Sequence, residues 1–144
     1  MKKFIPVNQP LLTKTDIDTV YKVLKSGWIS SEGNNVKKFE KKFANFIGHK
    51  YGIAVSSGTA ALEIAVKSLG LKKNDEVIVP AMTWKSTIVS VSNCGLRPIL
   101  VDINIDNSNI DLENLKKKIT KKTRAIIVVH LYGNPAERWT TIIA

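Results

Sequence analysis

The residues best suited to chemistry sit just after short apolar segments. The first group is Ser56-Ser57-Gly58-Thr59-Ala60-Ala61-Leu62. Gly58 lets the backbone come close to a ligand. Ser57 and Thr59 supply hydroxyls, and Thr59-Ala60 opens an apolar helical stretch whose free N–H groups favour an anion such as phosphate. The loop is not a Walker loop, since no Gly-Lys-Ser/Thr follows, nor the three-glycine dinucleotide fingerprint. An ordinary capped helix start uses the same residue types, so the loop alone leaves both readings open.

A second group is Pro80-Ala81-Met82-Thr83-Trp84-Lys85-Ser86. An indole at the end of a strand can stack on a flat cofactor ring, or it can serve a core or an interface. Lys85 is one lysine among 19 and reads as a solvated side chain rather than a nucleophile. Asp102 and Asp106 form either a carboxylate pair or turn and cap residues. His130, in His130-Leu131-Tyr132-Gly133-Asn134-Pro135, lacks the serine or cysteine and the acid of a triad. With only His49 and His130 in the chain, a histidine-based metal site is disfavoured. One cysteine, Cys94, excludes an internal disulfide and a multi-cysteine zinc site.

Positioning these groups requires a scaffold, and the apolar periodicity supplies one. Thr13 and Asp16 are spaced as a capping box, Ile17, Val20, Tyr21 and Leu24 fall on one helical face, and Gly27 stands where a helix would end. Residues 26–33 read as a loop. A second helix from about Asn35 carries Val36, Phe39, Phe43, Phe46 and Ile47 on its apolar stripe. Strands are then expected at Tyr51 to Val55, Glu76 to Val79, Pro98 to Ile103 and Ala125 to His130. Helices are expected at Thr59 to Leu69 and Trp84 to Asn93, and after the cap Asp111. Continuously apolar strands alternating with helices predict an α/β fold, a mostly parallel sheet with helices on both faces. Two regions are expected: 1–50, a helical arm with a loop, and 51–144, an incomplete α/β domain. Pro135-Ala136-Glu137 reads as a helix start, with Trp139, Ile142 and Ile143 on one face. That helix has no stop signal before Ala144, which suggests the N-terminal piece of a longer protein.

The chain has 144 residues, 44% of them hydrophobic and 24% charged. This excludes a disordered or collagen-like chain and fits a single globular region. The net charge of +10 first suggests a polyanion partner. However, 19 of the 22 basic residues are lysines scattered as short pairs, and the chain is also rich in Ile and Asn. Compositional bias explains that pattern better than a nucleic-acid site would, because arginine is the better fork for phosphate and guanine. No apolar run is long enough to span a membrane, and Pro6, Asn8 and Gln9 interrupt any leader-like stretch. A cytoplasmic protein is expected.

Taken in order, several stretches resemble the nucleotide-sugar aminotransferases, the DegT/StrS group of pyridoxal-phosphate (PLP) enzymes. They are Ser26-Gly27-Trp28-Ile29-Ser30, Val55 to Leu62, Asp75 to Trp84, Pro98 to Ile103, Asn109-Ile110-Asp111 and Val129-His130-Leu131-Tyr132-Gly133. The resemblance implies the N-terminal part of a PLP fold-type I large domain. It implies that Gly58 and Thr59 hold the cofactor phosphate and that Trp84 stacks on the pyridine ring. It also implies that Trp28 and Ile29 belong to a loop near a dimer interface that helps shape the substrate site.

The implied activity moves an amino group, with glutamate as donor, to a keto sugar on a nucleotide carrier, in a homodimer. The family's Schiff-base lysine and pyridine-binding aspartate fall beyond Ala144, so the chain itself carries no catalytic residue and is not expected to transaminate. Two other readings stand beside this one: a non-catalytic remnant that pairs with a full-length relative, and, more weakly, a basic nucleic-acid binder.

Overall fold

The computed structural model describes residues 4–6 and 8–136. The expected helix after Pro135, with Trp139, Ile142 and Ile143, lies outside the described residues. The chain divides into two units, Met1–Ala54 and Val55–Ala144.

The first unit holds α1 (Lys14–Ser26) and α2 (Asn34–Phe46). The capping box forms: the Asp16 N–H donates to Thr13 Oγ1, and the Thr13 N–H donates to Asp16 Oδ2 at 2.8 Å. Gly27 ends α1 at φ 73°, a left-handed conformation that glycine adopts without strain. The apolar faces of both helices remain open, with Ile17, Val20, Tyr21, Leu24, Phe39 and Phe46 all exposed.

Tyr51 to Val55 forms no strand. Tyr51 and Ile53 are exposed, and the Ala54 N–H, which a ladder would need, donates instead to the Glu40 carboxylate at 2.8 Å. An apolar run supplies strand propensity, but a strand exists only where a neighbour pairs with it.

The second unit is built as α3 (Gly58–Ser68), β1 (Glu76–Pro80), α4 (Lys85–Asn93), β2 (Arg97–Val101), α5 (Leu112–Lys118) and β3 (Thr123–Ile126). The three strands are parallel in the order β2-β1-β3. The expected strand from Ala125 to His130 starts earlier and ends earlier. Its register against β1 slips between Glu76 and Val77, and its last bond to β1 is from the Ile127 N–H to the Ile78 carbonyl.

Period-two alternation in β1 sends neighbouring side chains to opposite faces. Val77 and Val79 pack with Val66 of α3, Val91 of α4 and Leu96. Ile78 packs with Val101, Ile110 and Leu115 of α5. The sheet is therefore covered on both faces, and all five residues of β1 are buried. Each fully buried aliphatic side chain of this set contributes on the order of 1.5–3 kcal/mol.

At the amino edge, buried Glu76 accepts from Thr120 Oγ1 at 2.6 Å and faces Arg97 at 3.7 Å. At the carboxyl edge Pro80 closes β1, where its missing N–H costs no internal ladder bond. The Ala81 N–H then donates to the Val101 carbonyl.

Candidate cofactor site

Chain order fixes which ends of the helices meet the carboxyl edge of the sheet. α3 ends at Ser68, and a turn closed by the Lys72 N–H on Asp75 Oδ2 leads straight into the amino end of β1. Eleven helical residues and five extended residues both span about 16 Å. The start of α3 therefore returns to the carboxyl edge. α4 begins at Lys85, shortly after Pro80, so its start lies at the same edge. Both helices cover one face of the sheet and are tied by Asn93 Nδ2 donating to Glu63 Oε1 at 2.6 Å. Gly58, Thr59 and Trp84 are thereby brought to one edge, the position where open parallel sheets bind ligands.

At the start of α3, Ser57 is the cap, and its hydroxyl accepts from the Ala60 N–H at 3.2 Å. The Ala61 N–H donates to the Ser57 carbonyl at 3.0 Å. The amides of Gly58 and Thr59 precede the first intrahelical bond and have no partner among the described residues. A Cβ built on Gly58 would meet nothing within 4 Å. Its φ also lies outside the left-handed region, so neither packing nor backbone conformation in the described chain calls for glycine here. What remains is open space beside two N–H donors at the positive end of a helix dipole, which suits a phosphate.

Trp84 caps α4 through its backbone alone, its carbonyl accepting from the Thr87 N–H at 3.0 Å. Its side chain is 81% exposed, so it is not a core tryptophan in the described unit. Lys85 is the first residue of α4.

The remaining sequence candidates have structural duties. The His130 Nδ1 accepts from the Ala136 N–H at 2.9 Å, which holds the chain after the 3-10 turn Leu131–Gly133. The Asp102 carbonyl accepts from the Asp111 N–H, beside the Ile103–Ile110 bridge. Asp106 belongs to a turn in which its N–H donates to Asn104 Oδ1. Asp111 caps α5 by accepting from the Asn114 N–H at 2.7 Å. No cluster of three or more His, Cys, Asp or Glu residues suited to a metal is present among the described residues. Likewise, no described helix is long and apolar enough to cross a membrane.

In the first unit, the loop after α1 exposes both Trp28 and Ile29. The Trp28 N–H donates to Ser26 Oγ at 3.2 Å, and the Ile29 N–H to the Gly27 carbonyl at 3.1 Å. A cavity of about 340 Å³ lies there, lined by Ser26, Trp28, Glu32, Asn34 and Asn35. Glu32, Asn34 and Asn35 were not singled out by the sequence. Only the glycine before two asparagines at a helix start hinted at them.

A parallel α/β layer with two helix starts and an exposed indole at its carboxyl edge has the architecture of part of a PLP fold-type I large domain. Solved structures agree. The Escherichia coli GDP-4-keto-6-deoxy-D-mannose-3-dehydratase with bound hydrated PLP matches at TM-score 0.82 and 38% identity, over 91% of this chain and 35% of that one. The aminotransferase from Psychrobacter cryohalolentis matches at TM-score 0.79 and 36% identity, over 92% of this chain and 33% of that one.

The chain belongs to the DegT/DnrJ/EryC1/StrS aminotransferase family, whose model matches residues 10–141. GDP-perosamine synthase of Escherichia coli O157:H7 is 43% identical over 135 residues, 94% of this chain and 37% of that protein. GDP-perosamine synthase of Vibrio cholerae is 37% identical over 92% of this chain and 36% of its own length. The chain thus spans about a third of the length of the curated relatives it matches. PLP is bound in the dehydratase structure, and a sugar aminotransferase from Streptococcus pneumoniae that matches at TM-score 0.83 and 35% identity, over 92% of this chain and 34% of that one, is solved in its PLP form.

Proposed function

We propose that this chain is the N-terminal, cofactor-cradling portion of a PLP-dependent aminotransferase acting on a nucleotide-linked keto sugar, with glutamate as the amino donor. The enzyme would work as a cytoplasmic homodimer in amino-sugar or polysaccharide biosynthesis. The observation that carries the reading is the unfilled space at Gly58 beside two unpartnered amides. The GDP-perosamine synthases among the relatives favour a GDP-linked sugar.

PLP, when bound, supplies an electron sink for chemistry at the amino-bearing carbon. The chain's own residues bind and orient. The Gly58 and Thr59 N–H groups donate to the phosphate, and the Thr59 hydroxyl adds a further donor. The Trp84 indole offers a flat apolar face to the ring and keeps water from it. No proton-transfer residue is assigned within the chain.

The test is to titrate the purified chain with PLP, reduce with borohydride and map adducts. Saturable binding that Gly58→Val weakens at least tenfold, without turnover of glutamate and a keto sugar, is expected. A single stoichiometric lysine adduct together with turnover would overturn the division of labour proposed here.

A second reading has its own support in the exposed apolar faces of α1 and α2. On this reading the chain is a non-catalytic protein that pairs with a full-length relative. Co-expression with such a relative decides it: recovery only as a free, ordered monomer counts against pairing.

A further inference from the structure

The amino edge of the sheet, opposite the candidate cofactor site, joins basic residues that are far apart in the chain. On one side of β1 the Asn74 N–H donates to the Gly95 carbonyl at 3.2 Å, and the Arg97 N–H to the Asp75 carbonyl at 2.9 Å. On the other side the Glu76 N–H donates to the Lys122 carbonyl at 2.9 Å. Glu76 thus stands in register between Arg97 and Thr123. Stretches 70–76, 95–98 and 119–124 therefore lie side by side, at the strand spacing of about 4.8 Å.

Together they hold six cations, Lys72, Lys73, Arg97, Lys121, Lys122 and Arg124, against two carboxylates. All six cations are exposed. Both carboxylates are engaged. Asp75 Oδ2 accepts from the Lys72 N–H at 2.8 Å, and buried Glu76 is taken by Thr120 and Arg97. The other five cations make no ion pair among the described residues. Charges on adjacent strand starts sit within the screening length of about 8 Å at physiological salt, so their fields add. Lysine pairs that look scattered along the sequence form one patch in the fold.

The make-up of the patch narrows its partner. None of the three stretches exposes an aromatic or large apolar side chain, so bases find no stacking platform. The edge consists of turns and strand starts, not of a helix or ribbon free to enter a duplex groove. Four of the six cations are lysines, hydrated point charges without the arginine fork for guanine or phosphate. A cluster of this size and kind suits the diffuse negative charge of anionic lipid headgroups. With no apolar anchor, attachment rests on charge alone and reverses with salt.

We propose that the amino edge of the sheet is a docking surface for an anionic phospholipid membrane, made by Lys72, Lys73, Arg97, Lys121, Lys122 and Arg124. Docked this way, the chain lies on the bilayer without insertion. The carboxyl edge, with Gly58 and Trp84, then faces away from the lipid.

The experiment is co-sedimentation of the full chain with vesicles of equal parts phosphatidylglycerol and phosphatidylcholine, and with phosphatidylcholine alone. Binding is expected only to the anionic vesicles, and it should vanish as salt rises from about 0.05 to about 0.5 M. Two fourfold Lys→Gln variants carry the same net charge. One changes Lys72, Lys73, Lys121 and Lys122; the other changes Lys37, Lys38, Lys41 and Lys42 of α2. At unchanged circular dichroism, the edge variant should bind about tenfold more weakly or worse, and the α2 variant within about threefold of the unmodified chain.

Acetylation of the unmodified chain gives a readout that no unfolded variant can spoil. Anionic vesicles should shield Lys72, Lys73, Lys121 and Lys122 and leave the α2 lysines reactive. Equal shielding of both sets, equal loss in both variants, or no binding to the anionic vesicles overturns the proposal. Tighter retention on a short DNA duplex than on the vesicles at the same salt, lost in the edge variant, overturns it in favour of nucleic acid.

Discussion

A Cβ at position 52 would lie 2.6 Å from the Glu40 carbonyl oxygen, so Gly52 is seated directly against the backbone of α2. The same Glu40 accepts the Ala54 N–H through its carboxylate at 2.8 Å. One helical residue therefore holds the segment that follows α2 by both its main chain and its side chain. The obstacle at position 52 is backbone, which cannot rotate away. Gly52→Ala is accordingly expected to cost about 1–3 kcal/mol, the range of an overpacked site. Urea unfolding of the first unit checks it. Glu40→Gln keeps an acceptor and should cost less than Glu40→Ala, which leaves the Ala54 amide without its partner. An unchanged midpoint for Gly52→Ala would rule out the close seating.

The reverse is expected at Gly58, where an added Cβ meets open space. Gly58→Ala relieves the unfolded chain of conformational freedom and should stabilise the second unit by about 0.4–1 kcal/mol. On the proposed cradle, Gly58→Val would place methyl groups in the phosphate's space and should weaken PLP binding at least tenfold. Ser57→Ala removes the cap of α3 and should cost about 1 kcal/mol. Thermal melts beside a PLP titration separate the effects. If Gly58→Val binds PLP as tightly as the unmodified chain does, the cradle is misplaced.

Much of this was legible in the sequence because it is local. Thr13 with Asp16, and Asp111 before Leu112, are caps whose partners lie three residues away. Gly27 ends α1 at positive φ, as its place after the apolar face suggested, and Gly48, Gly70 and Gly95 follow helices in the same way. The continuous apolar run of β1 told that both of its faces are covered, and they are.

What escaped depends on partners distant in the chain. Tyr51 to Val55 has strand composition, but Glu40 takes the Ala54 N–H across 14 positions. The shortened β3 reflects a register slip that no single segment encodes. The sequence showed only that His130 lacks triad partners, and only the fold shows its Nδ1 engaged by the Ala136 N–H. The polar rim around Trp28 is different: it is local, set by the tight turn of Gly33 against the Ser30 and Trp28 carbonyls, which residue types alone do not announce.

Trp84 gives a third expectation. Its side chain is exposed while its backbone alone caps α4. Trp84→Ala should therefore change stability by no more than about 0.5 kcal/mol, as surface changes usually do. If the indole stacks on the cofactor ring, PLP should quench its fluorescence in the unmodified chain, and the variant should bind PLP severalfold more weakly. Trp84→Phe, which keeps an aromatic face, should recover part of that loss. A large loss of stability in Trp84→Ala would instead make the residue a packing element.

The last expectation concerns pH and α1. The Thr13 hydroxyl, and then its N–H, hydrogen-bond to the Asp16 carboxylate and hold its pKa below the ordinary value of 3.8. A carboxylate with a depressed folded pKa contributes stability that is fully present above its unfolded value. That contribution is lost as pH falls through the folded value. The start of α1 should therefore hold at pH 6 and fray as pH drops below about 4. Amide exchange of residues 14–18 in the unmodified chain and in Asp16→Asn should differ at pH 6 and converge near pH 2. Asn at this position can still accept from the Thr13 N–H but carries no charge, so the difference isolates the ionised form. A gap between the two chains that stays constant over that range would mean that the Asp16 charge plays no part in starting the helix.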